Sequence, residues 1–129
     1  MPRRIATVAL VVRDYDEAIA FYCGALGFSL LGNEDMGGGK RWVTVAAGDG
    51  DVALLLARAD GPAQQASIGR QAGGRVGFFL HTDDFARDHA AFVAAGVEFL
   101  EEPRHEVYGT VAVFADLYGN KWDLLEPHR

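Results

Sequence analysis

The sequence predicts a single α+β domain built from two copies of one βαβββ unit. An apolar strand followed by a capped helix occurs twice, about seventy residues apart, and each helix is followed by room for three short strands. The chain has 129 residues, half of them hydrophobic, and can bury one sizeable core. We divide it into module one at 1–60, a linker at 61–74 and module two at 75–129.

The first unit opens with a strand and a helix. Residues 5–12, IATVALVV, are apolar and rich in β-branched side chains, which is typical of a strand covered on both faces. Asp14 stands three residues before Glu17, so it predicts an N-cap with a capping-box partner. Gly27 predicts the end of a helix of about three turns. Its apolar side recurs at helical spacing: Tyr15, Ala18, Ile19, Tyr22 and Leu26.

Three strands are predicted to complete the first unit, at 29–33, 41–46 and 52–57. Their turns fall at the three glycines of 37–39 and at 48–51. The linker is rich in Gly, Ala and Gln, and we expect it to hold a short helix.

The second unit repeats this order. Val76–His81, VGFFLH, predicts a strand, and Asp84 predicts the cap of a helix that ends at Gly96. Asp84 lies 70 residues after Asp14, and Gly96 lies 69 residues after Gly27. The remaining strands are expected at 98–101, 110–115 and 121–125, with a loop at 102–109 and a turn at DLYGN. A ferredoxin-like fold would place only one strand between its first helix and the next strand–helix pair. The segment that lies there in this chain is too long for one strand and a turn.

Charge and hydropathy exclude several kinds of partner. The net charge is -6 and Lys and Arg form no stripe, so a nucleic acid partner is not expected. No stretch approaches the roughly 20 apolar residues that span a bilayer, and the first apolar run stops at Arg13 without the cleavage site of a signal peptide. The single cysteine, Cys23, closes no internal disulfide, which favours a cytoplasmic location.

Three segments together resemble the vicinal oxygen chelate superfamily: RDYDEAIAFYCGALGF at 13–28, LHTDDFARDHAAFVAAGVEFL at 80–100 and VFADLYGNKWDLLEP at 113–127. Its members include glyoxalase I, extradiol dioxygenases, fosfomycin-resistance enzymes and bleomycin-resistance proteins. The resemblance spans essentially the whole chain. It implies that each unit curls its mostly antiparallel sheet into half of a cup, with the helices outside, and that chains of this length pair as a homodimer.

The resemblance also implies four positions for a divalent metal, two in each unit. They fall at Thr7, at Leu54 or a neighbour within VALLLA, at Gly77 and at Asp123. Metals in such cups take three or four donors from His nitrogen and from carboxylate or amide oxygen. Asp123 alone qualifies, so we expect no cofactor and no metal, although a relocated divalent metal site stays open.

Candidate site residues follow from the same alignment and from strand alternation. If Gly77 faces the cup, then Phe79 and His81 do too. We predict that His81 and Asp123 are catalytic or anchoring groups, with Arg41 or His81 as the partner of the Asp123 carboxylate. A structural role at the strand end is the alternative for His81. The predicted ligand contacts are Thr7, Arg41, Trp42, Phe79 and Tyr108.

Two other aromatic or imidazole side chains are assigned to the core instead. Trp122 should point away from Asp123, and His89 lies on the apolar side of the second helix.

Three functions remain after these arguments. The first is a metal-free protein of the bleomycin-resistance type that binds a small organic molecule in a largely apolar cup. The second is a lyase or dioxygenase of the glyoxalase I or extradiol dioxygenase type, with a relocated or reduced metal site. The third is a non-catalytic interaction module. An acidic protein also favours a cationic ligand.

Overall fold

The computed structural model describes residues 2–128 and separates into two compact units. The first unit ends at Ile68 and the second begins at Gly69, so the predicted linker is divided between them. Each unit has one mixed sheet with helices, which confirms the α+β fold class and the repeated strand–helix–strands order. Among the described residues, no helix is long and apolar enough to cross a membrane.

From residue 2 onward, the first unit contains four strands, two short α-helices and a π-helical segment. The four-stranded sheet has the order β1-β4-β3-β2, in which β1 and β4 are parallel and the other pairs antiparallel. The short helix expected in the linker is present. The elements are β1 (Thr7–Val12), α1 (Tyr15–Ile19), β2 (Ser29–Gly37), β3 (Lys40–Ala46), β4 (Ala53–Arg58) and α2 (Pro62–Ser67).

The first helix begins as predicted and then changes its hydrogen bonding. The Asp14 carboxylate accepts from the amide of Glu17 at 2.9 Å, so the N-cap is confirmed. Beyond Ile19 the chain continues as a π-helix over Ala20–Ala25, in which Leu26 N–H donates to the Phe21 carbonyl five residues back. The predicted helix of about three turns is thus present, but its second half is π-helical.

The hairpin β2–β3 is longer than the sequence indicated. Pairing continues through Asp35 and Arg41, beyond the predicted end at residue 33. The turn needs backbone angles that only glycine adopts freely, since Gly38 and Gly39 have φ of 64° and 82°. Polar residues along the outer part of β2 hid this extension, because they lack the apolar alternation of a half-buried strand.

The second unit contains five strands and one helix. Its sheet has the order β5-β9-β8-β6, with β7 pairing to β8, and only β5 and β9 are parallel. The elements are β5 (Val76–His81), α3 (Phe85–Ala94), β6 (Glu98–Phe99), β7 (Arg104–Glu106), β8 (Gly109–Ala115) and β9 (Lys121–Pro127). The stretch 102–109, predicted as a loop, thus contains β7, whose three polar residues carry no strand signal.

The core of the second unit lies between α3 and one face of its sheet. Trp122 is 3% exposed and stacks on Phe78 with ring centroids 4.5 Å apart, which confirms its assignment to the core. His89 is also structural as predicted, because its ring packs between Phe85 and Phe99. At the start of α3 the Glu126 carboxylate of β9 accepts from the Phe85 amide at 2.7 Å, which ties the helix to the sheet.

The DLYGN turn between β8 and β9 is held by one buried carboxylate. One Asp116 oxygen accepts from the amides of Tyr118 and Asn120, both at 2.9 Å. The other accepts from the Asn120 side chain at 2.8 Å. The Asp116 and Asn120 side chains are both 5% exposed, so this part of the family motif is structural: it fixes the turn from which β9 carries Asp123.

Gly69 at the start of the second unit is required by a close backbone approach. A Cβ there would lie 2.0 Å from the Tyr118 carbonyl oxygen, and φ is 75°. We expect Gly69→Ala to lower the free energy of unfolding by at least about 2 kcal/mol more than Gly73→Ala does. Gly73 is the matched control, because its φ of 69° is similar but a Cβ added there would have no atom within 4 Å. Urea unfolding of both variants measures the difference, and equal losses would contradict it.

Candidate functional site

One face of the second unit's sheet is packed on its helix, and the other is not. Phe78 and Trp122 point toward the core, so their neighbours in sequence point to the opposite side. There Phe79 lies beside Asp123, and His81 lies beside Leu125. We call this side the open face of the second unit and define it by Phe79, His81, Arg104, Val113, Asp123 and Leu125.

Asp123 is half-buried on this open face, and its side-chain carboxylate makes no hydrogen bond within residues 2–128. Removal from water raises the pKa of its carboxyl group. The nearby Arg104 guanidinium opposes this rise, and the Glu101 carboxylate adds to it. Arg104, which the sequence did not single out, is thus a cation that acts on Asp123. The predicted partners, Arg41 and His81, stay predictions.

Arg104 is fixed by a network of carboxylates. Its guanidinium donates to Glu101 at 2.9 Å and to Glu106 at 3.0 Å. These bonds raise the pKa of Arg104. The other Glu101 oxygen accepts from the Val113 amide at 2.9 Å. The guanidinium is thus shared among several oxygens and leaves the Asp123 carboxylate without a direct ion pair.

Glu101 and Arg104 are the functional candidates that sequence reasoning missed. An acidic and a basic residue three positions apart are a recognisable ion-pair spacing. The signal was lost because both residues fell in or beside a stretch assigned to a loop. The Arg104 hydrogen bond lowers the pKa of Glu101.

The two predicted residues on β5 both point to solvent. The Phe79 side chain is 56% exposed although it is large and apolar. His81 is exposed, and no side-chain hydrogen bond holds it within the described chain. The adjoining turn is closed by other groups, since Thr82 bonds to Asp88 and to the amide of Asp84. Within the described chain, His81 therefore has no side-chain hydrogen bond that would fix it at the end of the strand.

The remaining predicted ligand contacts are not all on one surface. Tyr108 is 53% exposed at the tip of the β7–β8 hairpin. In the first unit, Thr7 and Trp42 lie on the face of the sheet opposite to α1, and the Trp42 ring is 44% exposed. Their assignment to a ligand stays a prediction.

Arg41 lies on the other face of the first sheet from Trp42. Its guanidinium pairs with Asp16 at 3.0 Å, donates to Asn33 and lies over the Tyr15 ring. Arg41 and Trp42 therefore do not line the same surface of this sheet, because adjacent residues of a strand point to opposite sides.

The four positions implied for a metal do not fit one. Leu54 is 8% exposed and points into the core, and its neighbour on the other face is Leu55. A Cβ added at Gly77 would lie 2.8 Å from the Ala72 Cβ, so a metal-binding side chain could not be placed there without a shift of the backbone. Asp123 is the one carboxylate of the set, and residues 2–128 contain no group of three His, Cys, Asp or Glu that could hold a metal ion.

Sequence comparison finds relatives that span nearly the whole chain. The model of the Glyoxalase/Bleomycin resistance protein/Dioxygenase superfamily matches residues 4–124. An uncharacterized protein of Shewanella frigidimarina (strain NCIMB 400) is 52% identical over 132 residues, which cover 98% of this chain and 95% of that protein.

Solved structures with the same fold include two of similar sequence. UcmS2 is 31% identical and has a TM-score of 0.83, covering 98% of this chain and 99% of its own. TnmS3, described as an antibiotic binding protein from Streptomyces sp. CB03234, is 29% identical with a TM-score of 0.77 and covers 98% of both chains.

The raised pKa of Asp123 predicts a stability that falls as the pH rises. A carboxyl group whose pKa is higher in the folded protein stabilises the fold below its ordinary pKa, and this contribution is lost as the pH rises through the raised value. We expect Asp123→Asn to be more stable than the wild type at pH 7, by up to about 1 kcal/mol, with the gain disappearing near pH 4. Urea unfolding at both pH values measures this.

Glu101→Gln is the matched control, because the pKa of Glu101 is shifted in the opposite direction. It should lower stability at pH 7, and its effect should shrink as the pH falls through the lowered pKa. If Asp123→Asn lost stability at pH 7 as well, the Asp123 carboxylate would have to be held by an attraction rather than penalised by burial.

Proposed function

Because the chain belongs to the glyoxalase/bleomycin resistance protein/dioxygenase superfamily, we propose that it binds a small organic molecule without a divalent metal. The binding surface is the open face of the second unit. Phe79 supplies an apolar contact, Asp123 supplies a charge, and His81 supplies a hydrogen-bonding group. The ligand contacts predicted for Thr7 and Trp42, which lie in the first unit, are not needed for this surface.

The observation that carries the proposal is the pairing of Phe79 with Asp123. An exposed aromatic ring and a half-buried carboxylate without a hydrogen bond are neighbours on adjacent strands of the described chain. Each costs free energy in the isolated protein, because one leaves apolar surface in water and the other removes a charge from it. A ligand with a flat apolar body and a cationic group offsets both costs.

The similar proteins support the same class of ligand. TnmS3 is described as an antibiotic binding protein, and it covers nearly the whole of this chain at 29% identity. The net charge of -6 also favours a ligand that carries positive charge. We therefore propose an antibiotic-like natural product with an amine or other cationic group, bound and released unchanged.

The alternative, a lyase or dioxygenase, needs a metal site that these residues do not provide. Of the four implied positions only Asp123 offers a donor, and Gly77 is crowded by Ala72. His81 and Asp123 could act together only as acid–base groups, and no observation beyond their shared face favours this.

The predicted location and assembly belong to the same proposal. Cys23 is a free thiol, which suits the cytoplasm. The homodimer remains an expectation from the family resemblance, and sedimentation of the purified protein measures it directly.

Ligand binding tests the role of Phe79. We expect a flat aromatic antibiotic bearing an amine to bind wild type, and Phe79→Ala to weaken binding about tenfold through lost ring contact. Calorimetric titration measures the affinity. Val93→Ala is the control, because Val93 is also an exposed apolar side chain, 53% accessible, on α3 rather than on the open face. Equal affinities for wild type and Phe79→Ala would contradict the proposed surface.

The role of Asp123 is tested by the charge of the ligand. Asp123→Asn should weaken binding of the amine-bearing ligand and leave a neutral analogue unaffected, because only the cation interacts with the carboxylate. Binding of the amine should also decline as the pH falls through the raised pKa of Asp123. An equal loss for both ligands would show that the substitution acts through packing.

Metal titration separates the proposed binding protein from the enzyme. We expect zinc, nickel, iron and manganese to show no stoichiometric binding at micromolar concentration, because a single carboxylate does not form a tight site. Stoichiometric micromolar binding that is lost in Asp123→Ala would overturn the metal-free proposal.

A further inference from the structure

We propose that the first unit carries a separate site for an oxyanion, a carboxylate or phosphate group, at the turn of the β2–β3 hairpin. An open depression of about 490 Å³ lies there, lined by Asn33, Asp35, Gly37, Gly38, Gly39 and Arg41. None of its residues belongs to the open face of the second unit, so this site does not depend on the proposed function.

Two guanidinium groups gather at one edge of this depression. Arg41 and Arg58 both lie over the ring of Tyr15, at 5.0 and 5.2 Å from its centroid. Arg58 also reaches Gly39, since a Cβ at that glycine would lie 3.3 Å from its terminal nitrogen. The electron-rich ring face attracts each cation, and it holds two like charges near the same place.

The two arginines differ in how fully their donors are used. Arg41 pairs with Asp16 at 3.0 Å and donates twice to Asn33, which fixes its guanidinium in position. Arg58 makes no side-chain ion pair or hydrogen bond within residues 2–128. Its planar fork of donors is therefore available, and such a fork matches the two oxygens of a carboxylate or phosphate.

The turn adds backbone donors to the same depression. The amides of Gly38 and Gly39 have no acceptor in the part of the chain that the structure describes, and both glycines have positive φ. Successive amides in such a turn form a concave surface suited to an anion. This arrangement differs from a P-loop, because no helix begins after the three glycines.

The charges near the turn balance, but Arg58 has no ion pair there within residues 2–128. Lys40, Arg41 and Arg58 contribute three positive charges near the turn, and the carboxylates of Asp16, Glu34 and Asp35 contribute three negative charges. Asp16 is already paired with Arg41, and one Asp35 oxygen accepts from the Gly37 amide at 2.8 Å. Arg58 makes no ion pair in the described chain, and an oxyanion between it and the glycine amides would relieve the repulsion between the two guanidinium groups.

Nuclear magnetic resonance titration with inorganic phosphate tests the site in the full chain. At constant ionic strength, we expect saturable shifts of the Gly38 and Gly39 amides and of the Arg58 side-chain Nε–H. Arg58→Gln should weaken this binding about tenfold, because it removes one charge-assisted contact. Acetate in place of phosphate distinguishes the two oxyanions.

Arg70→Gln is the matched control, since Arg70 is an exposed arginine of the second unit without an ion pair in the described chain. Arg70→Gln should leave the phosphate-induced shifts unchanged. In Arg58→Gln, unchanged resonances away from the turn would show that this variant is folded. Shifts that rise linearly without saturation, or that survive in Arg58→Gln, would overturn the proposal. Saturable binding of calcium at the same amides would assign the depression to the Asp35 carboxylate instead.

Discussion

Stacking of Phe78 on Trp122 determines the geometry of the candidate site. These two rings lie on adjacent parallel strands and face the core beneath α3. Because side chains alternate along a strand, burying them places the next residue of each strand, Phe79 and Asp123, together on the opposite face. A shift of one residue in β9 would bury the Asp123 carboxylate and expose the Trp122 indole ring, so core packing and site geometry depend on the same register.

The site is maintained at a cost to stability. Asp123 is half-buried, and its side-chain carboxylate has no hydrogen bond within the described chain. Burial raises the pKa of this carboxyl group. The nearby cation, Arg104, is shared between Glu101 and Glu106, so it moderates the penalty without removing it. An arrangement that is poorly satisfied in the free protein is typical of a surface whose partner is a ligand.

The two units share helix caps and strand pairing, but they differ in the side chains at matching positions. Both helices begin at an aspartate cap, and both sheets pair their first and last strands in parallel. Yet the position beside Ala9 in the first unit is Leu55, whereas the position beside Phe79 in the second is Asp123. The charged chemistry of the open face therefore belongs to the second unit, and the first unit carries its own cations near the β2–β3 turn.

Reading the sequence was enough to predict the order of elements, the helix starts, the DLYGN turn and the shared direction of Phe79 and Asp123. These features depend on residues close together in the chain, such as the capping carboxylate of Asp14, or on the period of a strand. The folded chain was needed to show that Arg104 accompanies Asp123 and that Arg41 is held by Tyr15 and Asp16. Those contacts join separate strands and helices through polar residues, which carry no periodic signal.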